Sequence, residues 1–280
     1  GPGAVRSDRY SNCQRLLLCI PIPTYPKYDA NWKHSHQGQG FLMACIKLFL
    51  NELSLQYNLL DYVTWSLDQA PHAVIFGNTG SGKTYASKIL LGRIAKHCPN
   101  SQFYVCDFKG DTDFSFLIGS EHFFRFLECE RGLSDFYDRF KLRQSGKEEQ
   151  HSCLLLFFDE WSSYILNLEK KKAEEEKKKL SMLLMLGRSF NVHIIVSQQR
   201  VDAAYFNSAR DNFNLVIALG NLSSEGKEMM FRTFKDEMNS DRKQGTGYML
   251  TNGTNFTPIV VPAISDMKRL HSYIRTAVER

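Results

Sequence analysis

The sequence predicts an α/β protein with a mainly parallel central sheet flanked by helices. Two observations carry that expectation. Five short apolar runs without polar alternation recur along the chain, at Ala73–Phe76, Phe103–Cys106, Leu154–Phe158, Val192–Val196 and Leu215–Leu219. Strands with no polar face are what a parallel sheet covered on both sides demands. The segments between them are also long enough, and periodic enough, to be crossover helices.

Taken in order, residues 1–60 read as an N-terminal extension and residues 61–280 as one domain. Pro21, Pro23 and Pro26, a polar stretch at Asn31–Gly40 and an apolar pattern from Phe41 predict a lead-in strand, a loop and a helix packed on the main sheet. Helices are expected at Lys83–His97, Ser134–Gln144, Ile165–Ser189 and Glu225–Phe234. Tyr248–Leu250 and Phe256–Val261 flank the turn signal Thr251-Asn252-Gly253 and predict a hairpin, followed by a helix from Ser265. Glu169–Lys179 is a block of alternating charge that reads as a solvated helical arm rather than a partner site.

Composition narrows the class further. With 43% hydrophobic, 12% aromatic and 23% charged residues the chain can bury a core, which excludes a disordered or collagen-like protein. A net charge of +5 is too small to identify a nucleic-acid binder by itself. Seven cysteines without a C-x-x-C pair point to a reducing, cytoplasmic setting, and His34 with His36 read as solvated loop residues rather than a metal site. No apolar run approaches the roughly 20 residues of a membrane span. Gly1-Pro2-Gly3 reads as the remnant of a cleaved tag, so a membrane anchor of a parent protein would lie outside this chain.

The chemistry concentrates at Gly77-Asn78-Thr79-Gly80-Ser81-Gly82-Lys83-Thr84, which fits the phosphate-binding pattern G-x-x-x-x-G-K-[ST]. Chance would produce it in about one chain of this length in a hundred. The motif follows an apolar strand and opens a helix, so glycines can curl the backbone N–H groups around phosphates at a helix N-terminus. Lys83 would reach the β and γ phosphates of ATP, and the Thr84 hydroxyl would hold Mg²⁺. At the end of a later strand, Asp159 would orient that ion and Glu160 would take a proton from attacking water. The strand ending in Ser197-Gln198 offers the Gln198 amide as a γ-phosphate sensor.

With these elements in this order, the chain resembles the FtsK/SpoIIIE branch of the FtsK–HerA motor ATPases, including the FtsK-like coupling proteins of conjugative elements. Cys106-Asp107-Phe108-Lys109 is similar to that family's Asp-Pro-Lys element, with Phe108 in place of proline. Gly187-Arg188 before the Val192–Val196 strand, and Gly245-Thr246-Gly247-Tyr248-Met249-Leu250 near the end, are similar to further family motifs. Arg200 sits one place later than the family pattern, and Lys227 stands where many relatives carry arginine.

The resemblance covers roughly residues 60 to 262 and implies a RecA-like core, a hexameric ring and ATP-driven movement of double-stranded DNA. A coupling protein would instead bring a DNA–relaxase complex to a secretion channel, at the cytoplasmic face of the membrane. Arg188, Arg200 and Arg210 are candidates for the cation that a neighbouring subunit brings to the γ-phosphate. Arg139, Lys141, Arg143 and Lys147 are a candidate source of pore contacts to DNA phosphates, a solvated helix end being the other reading. The alternative function is a ring ATPase of a protein-secretion machine, with the same motor residues and a polypeptide cargo.

Overall fold

The computed structural model describes residues 45–148 and 152–280. The expected lead-in strand, His34 and His36 lie outside those residues. Ten strands form one sheet: β1 (Ile46–Asn51), β2 (Tyr62–Trp65), β3 (His72–Gly77), β4 (Gln102–Asp107), β5 (Phe123–Arg125), β6 (Leu154–Asp159), β7 (Val192–Gln198), β8 (Leu215–Leu219), β9 (Thr246–Thr251) and β10 (Asn255–Val260). Their order is β2-β1-β10-β9-β8-β3-β7-β6-β4-β5. From β8 through β5 all neighbours are parallel, and from β8 to β2 all are antiparallel. The five expected apolar strands are β3, β4, β6, β7 and β8, the buried centre of the sheet.

Alternation along each strand sends side chains into two cores. Ala73, Ile75, Ile195 and Phe157 meet α2 (Lys83–His97) and α7 (Met267–Val278) on one face. Val74, Phe76, Val196 and Phe158 meet α3 (Cys129–Gln144), α4 (Trp161–Asn167) and α5 (Lys170–Leu186) on the other. Two shorter helices, α1 (Glu52–Gln56) and α6 (Ser224–Met230), lie beside the antiparallel half and after β8. No helix among the described residues is long and apolar enough to cross a membrane.

Four expectations change. The apolar run from Phe41 does not make a helix where it is described: Ile46–Asn51 is β1, paired to β10 and β2, and only Glu52–Gln56 turns helical. Ile165–Ser189 is not one helix, because Leu168 and Glu169 are extended and separate α4 from α5. The charged block on α5 is not wholly solvated. Glu176 is fully buried, accepting from Tyr164 Oη at 3.2 Å and Lys179 Nζ at 2.9 Å.

The fourth concerns the basic group of α3. Arg143 is buried, paired with Glu148 at 2.9 Å and bonded to the carbonyls of Ser152, Phe190 and Asn191. Arg139 is held by Glu148 at 2.6 Å and Lys141 by Asp138 at 2.7 Å. Arg143 therefore ties the end of α3 to the starts of β6 and β7 and does not present itself to DNA.

Candidate functional site

The phosphate-loop motif spans the end of β3 and the start of α2, as its mechanism requires. Gly77 has φ +150°, and a Cβ there would stand 2.2 Å from the Leu219 carbonyl oxygen of β8. Gly82 has φ +102° at the N-cap of α2, in the left-handed region that only glycine enters freely. Ser81 N–H donates to the Asn78 carbonyl at 3.2 Å, closing the curl. Outer loops brace it: Asn78 Nδ2 donates to the Asn221 carbonyl at 3.0 Å, and Gly245 N–H donates to the Ser81 carbonyl at 3.0 Å. The Gly245 loop thus belongs to the site through its backbone, a role that the Gly-x-Gly motif hinted at without defining.

Lys83 sits in the first turn of α2 with its ammonium over the loop, donating to the carbonyls of Gly77 at 2.7 Å and Asn78 at 3.2 Å. Burial pulls its pKa below the ordinary lysine value, while Glu160 and Asp159 push the other way. Thr84 follows on the same turn.

The acidic pair enters from β6, two strands away from β3, with β7 between them. Asp159 ends β6 and is buried, and its pKa is raised to about 7. Desolvation is the main cause. The charges of Glu160 and Asp107 add to it, and the Ser197 hydroxyl and Lys83 oppose it. Glu160 adopts left-handed backbone (φ 58°, ψ 47°), its N–H donating to the Ser197 carbonyl at 2.7 Å, so the chain turns sharply between β6 and α4. Ser163 Oγ donates to Glu160 Oε2 at 3.4 Å.

Gln198 ends β7, opposite Phe76 of β3 and so beside the loop. It is fully buried, and neither amide atom has a hydrogen-bond partner within the protein. Asp107 ends β4 in register with Asp159; its Oδ2 accepts no hydrogen bond and lies 3.9 Å from Arg125 Nε, and its pKa is raised, chiefly by burial. Unsatisfied buried polar groups cost about 1–3 kcal/mol each. Here the ends of β7 and β4 carry them on either side of the buried Asp159, at the end of the sheet that holds the phosphate-binding loop, so the residues present fit a nucleotide with its divalent ion. The sequence marked Asp107 only as part of the Asp-Pro-Lys-like element and gave it no role of its own.

The candidate arginines are not gathered there. Arg188 is exposed and lies before β7, where Gly187 packs against Val192 and His72 at the start of β3. That is the end of the sheet opposite Lys83. Arg200 is exposed just past Gln198, on the loop side, and its charge acts on Glu225. Arg210 is half-buried in a short 3-10 turn, 3.9 Å from Asp211. Lys227 is turned to the Met238 carbonyl at 3.2 Å. Among the described residues no cluster of His, Cys, Asp and Glu forms a separate metal site.

This fold and this loop define a domain of the RecA-like P-loop fold: the loop follows a central strand of the sheet, and the acidic pair lies two strands away with β7 between. No family model matches the chain. A curated relative, the FtsK domain-containing protein YdcQ of Bacillus subtilis (strain 168), is 27% identical over 208 residues, covering 68% of this chain and 42% of the relative. The chain thus spans about two fifths of that relative's length.

Among solved structures, the cytoplasmic domain of the Thermomonospora curvata type VII secretion ATPase EccC superposes with TM-score 0.63 at 18% identity, covering 84% of this chain and 31% of that one. The pCW3 conjugation coupling protein TcpA, a monomer with ATPγS, gives 0.59 at 18%, covering 89% and 72%. At such identities these likenesses show the fold. Together with the curated relative they bear out the resemblance to the FtsK–HerA P-loop ATPases.

Proposed function

We propose that this chain is the ATP-hydrolysing motor domain of an FtsK/SpoIIIE-type DNA translocase, working as a hexameric ring on double-stranded DNA or as a conjugative coupling protein. The observation that carries the ATPase half is the convergence of Asp159, Glu160 and the unpartnered Gln198 amide on the loop that holds Lys83. The DNA half rests on the likeness of the motor motifs to the FtsK/SpoIIIE branch, which the FtsK domain-containing relative supports.

In this reading the Gly77–Thr84 backbone cradles the phosphates, and Lys83 exchanges its carbonyl bonds for phosphate oxygens. Thr84 and Asp159 would hold Mg²⁺, which neutralises phosphate charge when bound. Glu160, held at a fixed angle by its left-handed turn, accepts the proton of the attacking water. Gln198 finds its missing partners in the γ-phosphate and that water. Arg188 is exposed on the far side of the fold, where a neighbouring subunit of a ring would use it. A membrane anchor and a relaxase or channel partner belong to the parent protein in this reading.

The test is ATP hydrolysis with and without double-stranded DNA, alongside a mass measurement of the oligomer. A several-fold, salt-sensitive stimulation by DNA of any sequence is expected, because phosphate contacts release counterions. Turnover indifferent to DNA but raised by a polypeptide would overturn the DNA reading in favour of a secretion-type ATPase.

A further inference from the structure

Between β4 and the following 3-10 turn, residues 107–111 form a tight turn in which each residue but one is tied inward. Asp107 Oδ1 accepts from Gly110 N–H at 2.8 Å. Phe108 N–H donates to the Asp159 carbonyl at 3.4 Å, and its ring lies edge-on to Tyr164 at 5.5 Å. Gly110, at φ +66°, sits under the Phe126 ring with no room for a side chain. Arg125 donates to the carbonyls of Gly110 and Asp111. Lys109 alone projects outward, with its side chain 52% exposed and its ammonium 2.6 Å from Asp111 Oδ2.

The placement of this turn is specific. Because Asp107 and Asp159 are register partners and Phe108 is bonded to Asp159, Lys109 stands just beyond the acidic pair, on the edge of the sheet that carries the P-loop. Its charge is felt at both Lys83 and Asp159. A surface lysine needs none of this bracing, since an exposed ion pair with Asp111 contributes at most about 1 kcal/mol.

We propose that Lys109 is a further catalytic cation of this site, delivered from the same chain to the γ-phosphate end of a bound nucleoside triphosphate. The proposal rests on the P-loop reading above and deepens it. When the triphosphate binds, the ammonium leaves Asp111 for the γ-phosphate oxygens, to which it donates hydrogen bonds without transferring a proton. Water then adds to phosphorus, the bond to the β–γ bridging oxygen breaks, and the water's proton passes to Glu160. Lys109 stabilises the charge spread over the γ oxygens and leaves a diphosphate unaffected, so it discriminates ATP from ADP.

The experiment measures ATPγS and ADP affinity by equilibrium titration, and ATP turnover at steady state, for the wild type, Lys109→Ala, Lys109→Arg and Asp111→Asn. Lys109→Ala is expected to keep ADP affinity within twofold, to weaken ATPγS about tenfold and to lower kcat about a hundredfold. Lys109→Arg restores most of the ATPγS affinity. Asp111→Asn removes the same surface ion pair but keeps the cation, so it retains the wild-type ratio of the two affinities.

An unchanged ATPγS-to-ADP ratio in Lys109→Ala, or equal effects of Lys109→Ala and Asp111→Asn, overturns the proposal. The affinity ratio needs no turnover, so a wild type that binds without hydrolysing still decides the role of Lys109. A wild type that binds neither nucleotide overturns the P-loop reading itself, and this proposal with it.

Discussion

Asp107 and Asp159 stand opposite each other on adjacent parallel strands, both buried at the sheet edge that carries the P-loop. Two carboxylates so placed are electrostatically unfavourable for folding, since burial and mutual repulsion both disfavour their charged forms. The site is therefore strained toward binding cations, and removing one of its charges reveals the strain.

Asp159 shows the sign. With its pKa raised from 3.8 to about 7, the folded state holds this proton more tightly than the unfolded chain does. Its contribution to stability is complete below the unfolded value and is lost as pH rises toward 7. Asp159→Asn is expected to unfold at higher urea than the wild type at pH 8 without magnesium, by on the order of a few kcal/mol. That gap closes near pH 4. The same variant loses magnesium-dependent ATP binding. A less stable variant at pH 8 would show that the carboxylate is a structural partner instead.

His72 and His193 work against this trend. Burial, aided in His72 by repulsion from His193, lowers their pKa values from 6.5 to about 3 and about 4. Both are neutral when folded, whereas in the unfolded chain they charge below pH 6.5. Their contribution to stability is therefore present above 6.5 and falls as pH drops toward 4. In an Asp107→Asn, Asp159→Asn double variant, where both opposing carboxylates are gone, urea unfolding from pH 7 to pH 4.5 should show a loss approaching about 2.7 kcal/mol per pH unit. A flat profile would mean that the two imidazoles are protonated in the fold.

The catalytic assignment separates binding from chemistry. Glu160→Gln is expected to bind ATPγS as the wild type does and to turn over about 10²- to 10⁴-fold more slowly. Lys83→Ala is expected to lose triphosphate affinity with its unfolding profile intact, because the ammonium is partly desolvated and bonded only to loop carbonyls. Titration and turnover on the same preparations distinguish the two patterns.

What the sequence revealed follows from what each residue's neighbours are. The five central strands announced themselves because both of their faces are covered, and the P-loop because its glycines answer to local backbone geometry. Strand β1 did not, since an apolar run that continues beyond it carries no period to tell strand from helix. Three-residue β5 is too short to leave a pattern. Arg143 and Glu176 read as surface charges because their partners are distant in the chain: Phe190 and Asn191 for one, Tyr164 for the other. For the same reason the bracing of the P-loop by Asn221 and Gly245 appears only in three dimensions.

Glu176 gives a direct test of that point. Its neighbours Glu174 and Glu175 are exposed, so Glu174→Ala should change stability by at most about 0.5 kcal/mol. Glu176→Ala strands the buried Tyr164 hydroxyl and removes the acceptor of Lys179, which should cost about 3 kcal/mol or more in urea unfolding. Equal effects at the two positions would return the whole block to solvent.

Arg188 supplies the last prediction. Its turn packs beside His72 at the start of β3, while Lys83 follows the end of that six-residue strand. At about 3.3 Å per residue the two ends are about 20 Å apart, too far for Arg188 to serve the Lys83 of its own chain. In a ring built by head-to-tail contacts two different patches of the chain meet, so an arginine remote from its own Lys83 can serve the nucleotide site of the next subunit. Lys83→Ala and Arg188→Ala should each be inactive alone. Mixed in equal amounts under conditions that exchange subunits, they should recover up to about one quarter of wild-type turnover, the share of sites pairing an intact lysine with an intact arginine. If Arg188→Ala is active alone, or the mixture stays inactive while rings form, the arginine in trans is another residue, and Arg200, exposed at the loop end, becomes the one to replace next.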